Sequence, residues 1–77
     1  MAARKTIDQL RQEYEVAPMG ARLAPPIVAA GLNLSAATLE RWRSVGKGPR
    51  YVKIGGRVAY VKRDVEAWVT LQTEALV

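Results

Sequence analysis

Eight cationic side chains fall between residues 41 and 63: Arg41, Arg43, Lys47, Arg50, Lys53, Arg57, Lys62 and Arg63. No acid interrupts them, so 23 residues carry a formal charge of +8. The flanks differ: residues 1–40 are balanced, and residues 64–77, with Asp64, Glu66 and Glu74, carry −3. Charge runs are commonly solvated loops. This one has Trp42 and Tyr51 within it, Tyr60 near its end and turn residues at regular intervals, which points to a folded basic surface. The chemistry such a surface offers is electrostatic, and its partner is a polyanion, either nucleic acid or an anionic membrane surface.

Residues for covalent or metal chemistry are missing. The 77-residue chain has no His and no Cys, which removes an imidazole base, a thiolate or zinc site and a disulfide framework. Asp64 and Glu66 lie two apart and do not share a helix face. No Ser has a plausible base, and Gly55-Gly56 is too short to cradle a phosphate. The expectation is a non-enzyme with no catalytic residue, no metal and no cofactor. Of the residues, 49% are apolar and 25% charged, an ordinary globular composition for one small domain. Lys and Arg number 12 against 7 Asp and Glu, for a net +5. No apolar run approaches the length of a membrane span, and the first residues lead into no apolar signal segment, so a cytoplasmic protein is expected. A membrane surface is the weaker partner, because the cations do not run along one amphipathic helix.

The elements that would hold this surface can be read along the chain. Thr6-Ile7-Asp8-Gln9 has capping-box spacing, and Ile7, Leu10 and Tyr14 follow at helical intervals. Residues 7–15 are therefore either a short helix or a frayed extension, ended by Pro18 and Gly20, with 16–22 as a linker. Pro25 and Pro26 suit only a helix's first turn, although Ala24 offers no capping oxygen. That helix ends over Gly31 to Asn33. Ser35 then caps a second helix through Ala36, Ala37, Leu39 and Glu40, and two helices joined by so short a turn make a helix-turn-helix candidate. At about 100° per residue, Leu39, Trp42 and the stem of Arg43 share one side. Ala37, Arg41 and Ser44 lie opposite, flanked by Thr38 and Glu40.

Gly46, Gly48 and Pro49 break the second helix. Tyr51–Ile54 and Arg57–Tyr60 read as two strands around a Gly55-Gly56 turn, with Lys53 opposite Val58 and Tyr51 opposite Tyr60. Neither face alternates cleanly, so the buried one stays open. Asp64 marks the start of a last helix packed through Val65, Trp68, Val69 and Leu76. The expected core is Leu39, Trp42, Val58, Tyr60, Val65 and Trp68. The fold class is mainly α with a small β-hairpin (α+β). Residues 1–22 form an extension, 23–70 the domain, and 71–77 a tail or helix end. No repeats or low-complexity tracts occur.

From Leu23 to Val69 the chain resembles the excisionase and AlpA-type small DNA-binding proteins, in the MerR-related winged helix-turn-helix group. The resemblance is carried by Leu34-Ser35 with Thr38–Trp42, by Gly48–Val58 and by Asp64–Trp68, in order and with matching gaps. It implies that the second helix enters the major groove of double-stranded DNA and that the hairpin is a wing on the minor groove or backbone. The implied recognition-helix set is Ser35, Ala37, Thr38, Glu40, Arg41 and Ser44, with Thr38 and Arg41 facing the groove. The wing and its flanks supply Lys47, Arg50, Lys53, Gly55, Gly56 and Arg57. Ala37, Glu40 and Ala59 depart from the family pattern, where basic or polar side chains are frequent. Ala37 can still touch a thymine methyl and Glu40 can accept from cytosine N4. Base readout would be thin, and DNA shape and cooperative neighbours would supply the rest.

What the resemblance implies for function is a recombination directionality factor, or excisionase. It would bind repeated sites near an attachment site, bend the DNA, and promote integrase-mediated excision of a mobile element. The alternative is an AlpA-like transcriptional regulator of a prophage or mobile element. A third reading is a recognition or interaction module such as a small terminase subunit. Expected partners are double-stranded DNA, an integrase and further copies associating head to tail on DNA, in place of the long dimerisation helix of MerR regulators. The expected location is cytoplasmic and nucleoid-associated.

Overall fold

The structure is a computed structural model and describes residues 4–74. Among these described residues are four helices and a three-stranded antiparallel sheet. In chain order the elements are α1 (Ile7–Val16), β1 (Arg22–Leu23), α2 (Pro25–Gly31), α3 (Ala36–Val45), β2 (Val52–Ile54), β3 (Arg57–Val61) and α4 (Lys62–Glu74). Among the described residues, no helix is long and apolar enough to cross a membrane.

Helix starts follow the local chemistry. Thr6 caps α1 through a reciprocal pair, the Gln9 amide donating to Thr6 Oγ1 at 3.1 Å and the Thr6 amide to Gln9 Oε1 at 2.8 Å. This decides between helix and frayed extension for residues 7–15: the segment is helical and runs one residue further. Ala24 makes no side-chain cap to α2, whose first turn relies on Pro25 and Pro26 instead. Asn33 takes the left-handed backbone at φ 59° and turns the chain toward Ser35. Ser35 Oγ accepts the Thr38 amide at 3.1 Å and starts α3.

The hairpin has the expected register, with Lys53 facing Val58. Gly55 (φ 56°) and Gly56 (φ 80°) both take positive φ, as a type I′ turn demands. The open question of its faces resolves with Tyr60 buried and Val58 packed against the core. A third strand was not anticipated. Residues 16–22, read as a linker, include Arg22, which pairs with Val61, while Leu23 pairs with Tyr60. Two residues are too few to show a strand's alternation. β1 forms because the second edge of β3 offers unpaired backbone groups. The same strip continues into α4, where the Lys62 and Arg63 amides donate to the Ala21 and Met19 carbonyls at 2.9 and 2.8 Å.

The core consists of Tyr14, Leu23, Val28, Ala29, Leu39, Tyr60 and Val65. Leu39, Tyr60 and Val65 are buried, whereas Trp42, Val58 and Trp68 are only partly so. Trp42 and Trp68 meet as a tilted pair at the core's edge, 5.5 Å between centroids. Tyr14 places α1 in this same core. Of the expected tail or helix end at 71–77, residues 71–74 belong to α4, and residues 75–77, Leu76 among them, fall outside the described residues.

Candidate nucleic-acid interface

The acid-free segment from Arg41 to Arg63 spans the end of α3, the connection over residues 46–51, the hairpin and the first turn of α4. On α3, packing of Leu39 and Trp42 turns the opposite face outward. Ala37, Glu40, Arg41 and Ser44 are exposed, and Thr38 is half-buried. Ser35 is also exposed, but its hydroxyl is engaged at the helix start, 2.9 Å from Thr38 Oγ1. Glu40 is the single acid on this helix.

Lys47 and Arg50 are exposed in the connection, and Lys53, Gly55, Gly56 and Arg57 are exposed on the hairpin. Cross-strand pairing puts Ile54 beside Arg57 and Lys53 beside Val58, so both hairpin cations lie within a residue or two of the glycine tip. None of the eight cations forms an ion pair among the described residues. The segment therefore keeps its positive charge on the surface, where it can neutralise several charges of an extended polyanion.

Two of the eight are used internally, and nothing in the sequence distinguished them. Lys62 Nζ donates to the Ala17 carbonyl at 2.8 Å and to the Glu15 carbonyl at 3.2 Å. It also lies 5.0 Å from the centre of the Tyr14 ring. A cation at the open carbonyls of a helix C-terminus complements the helix dipole, so Lys62 fastens α1 to α4. Arg43 donates from Nη1 to the Tyr60 hydroxyl at 2.8 Å. Helical geometry puts its stem on the side of Leu39 and Trp42, but its partner comes from a strand seventeen residues away, which helical spacing cannot reveal. The exposed cations are Arg41, Lys47, Arg50, Lys53, Arg57 and Arg63.

Compared with known proteins, the chain matches no family model, and no curated protein or solved structure is significantly similar to it.

Proposed function

We propose that the chain is a winged helix-turn-helix protein that binds double-stranded DNA and acts architecturally, as an excisionase. The observation carrying this reading is that Arg41 on α3, Lys47 and Arg50 in the connection, and Lys53 and Arg57 beside the hairpin tip are all exposed, with no acid between them in the sequence. In this reading α2 and α3 are the helix-turn-helix and β2–β3 is the wing.

A helix of ten residues is about 15 Å long and fits the major groove, which admits one α-helix. Arg41 would supply the strongest readout, because a guanidinium can bond both guanine O6 and N7. Ala37 and Glu40 offer weaker preferences for a thymine methyl and cytosine N4. The wing would hold phosphates through Lys53 and Arg57, which set register and not sequence. So few base-reading groups favour a protein that relies on DNA deformability and on neighbouring copies, with an integrase as its functional partner.

The test is enrichment of fragmented DNA from the host element at near-physiological salt, followed by sequencing and a bending assay. Several closely spaced sites beside an integrase attachment site, with bent DNA, would support the excisionase reading. One promoter site would replace it with a transcriptional regulator. No enrichment over random DNA would remove sequence-specific binding altogether.

A further inference from the structure

Helix α3 and the hairpin are the two parts of the basic surface, yet no backbone hydrogen bond joins them among the described residues. They are connected by residues 46–51, which include Gly46 and Gly48 at φ 75° and 84°. Leu39 and Tyr60 share the core beneath them, and the polar side chain that reaches across is Arg43. Its Nη1 donates to the Tyr60 hydroxyl at 2.8 Å. Its guanidinium carbon also lies 5.9 Å from the centroids of both the Tyr51 and Tyr60 rings. Those rings are themselves 6.2 Å apart, one on β3 and one just before β2. A single planar cation from α3 thus engages both arms of the hairpin at once, by a charge-assisted hydrogen bond and by cation–π attraction.

We infer that Arg43 is a positioning residue that fixes the angle of the hairpin against α3, and that it is not itself a ligand of the DNA phosphates. The inference rests on the DNA-binding reading for its functional consequence, although the bracket is a property of the free protein. Tyr60 is 1% exposed, so its hydroxyl can reach no external partner, and its bond to Arg43 holds one end of the fork inward. With the bracket closed, Arg41 on α3 and Lys53 and Arg57 on the hairpin are held at one separation. A duplex presents groove and phosphates at fixed spacing, so binding to a prealigned pair avoids the ordering cost that a swinging hairpin would incur. Lysine cannot replace arginine here, because an ammonium lacks the planar fork that bonds one tyrosine hydroxyl while its charge lies near both rings.

The experiment uses the full chain with Arg43→Met, Arg43→Lys, Tyr60→Phe and the Arg43→Met/Tyr60→Phe double variant, at a temperature where all remain folded. Residual dipolar couplings report the orientation of β2–β3 relative to α3 in the free protein, and salt titrations report DNA affinity. The expected result is a reoriented or more mobile hairpin in every variant. Affinity falls roughly five- to tenfold in each single variant, and the double variant falls little further. Tyr60→Phe removes no charge, so any change it makes in the salt dependence comes from the wing. The inference is overturned if Arg43→Met lowers affinity and the salt slope by about one unit while Tyr60→Phe and Arg43→Lys bind normally, since Arg43 would then be a phosphate ligand. If the wild-type chain binds no DNA, the functional reading fails, and the couplings alone decide the bracket: an unmoved hairpin overturns it and a moved one sustains it.

Discussion

The Tyr14 hydroxyl on α1 donates to a carboxylate oxygen of Glu66 on α4, 52 residues away in sequence. The ring is 5% exposed and lies beneath the Lys62 ammonium. Burial, reinforced by the hydrogen bond and the negative charge of Glu66, pushes the Tyr14 phenol well above its ordinary value near 10. The folded state therefore favours the neutral phenol more than the unfolded chain does. That contribution is fully present below about pH 10 and is lost as pH rises from there toward the elevated folded value. Chemical denaturation at pH 8 and at pH 11 should show a larger loss of stability in the wild type than in Tyr14→Phe. Equal losses in the two proteins would mean that Tyr14 ionises as freely folded as unfolded.

Gly31 lies against the same ring. A Cβ built there would fall 2.4 Å from Tyr14 Cγ and 2.9 Å from its Cβ, at the root of the side chain, where it cannot swing aside. Helix propensity alone would make Gly31→Ala stabilising by at most about 1 kcal/mol. Overpacking costs about 1–3 kcal/mol and should win, so the variant is expected to have a lower urea midpoint. A raised midpoint would place α1 further from α2.

Much of the fold was legible in the sequence because it is written in local signals. Thr6 and Gln9 announce α1, Ser35 announces α3, and Gly55-Gly56 fixes the hairpin turn and with it the Lys53–Val58 pairing. Helical periodicity alone puts Ala37, Arg41 and Ser44 outward, flanked by Thr38 and Glu40, and all but the half-buried Thr38 are exposed. What escaped was non-local. Arg22 and Leu23 form a strand only because β3 has a free edge, and Tyr14 belongs to the core only because α2 presents Gly31 to it. Lys62 and Arg43 look like the other cations of the segment until their partners, the Ala17 carbonyl and the Tyr60 hydroxyl, arrive from distant elements.

Trp42 connects α3 to α4 through Trp68 at 5.5 Å. Replacing a fully buried Trp by Ala costs about 3–5 kcal/mol. Trp42 is only partly buried, so the lower end applies, and part of that is the aromatic pair, about 0.5–1.5 kcal/mol. For a domain of this size, total stability is on the order of 4–12 kcal/mol. Trp42→Ala is expected to lower the thermal midpoint strongly. Trp68→Ala should add less to it than its own single effect, because the shared contact is already gone. Full additivity would show that the two rings act separately.

Arg41 and Arg57 are both exposed, but they occupy different parts of the surface, and in the proposed reading they do different work. Arg41 projects from the outward face of α3, where a groove-bound helix meets base edges. Arg57 pairs with Ile54 next to the glycine tip, where in the same reading it meets phosphates. Arg41→Ala should therefore cost about 1–3 kcal/mol on the preferred site and much less on random DNA, relaxing specificity at one position. Arg57→Ala should weaken preferred and random sequences alike and reduce the salt slope by about one unit. Competition binding at several salt concentrations separates the two. If Arg57→Ala instead lost affinity only for the preferred site, the hairpin would be reading bases, and the division of labour between helix and wing would have to be reversed.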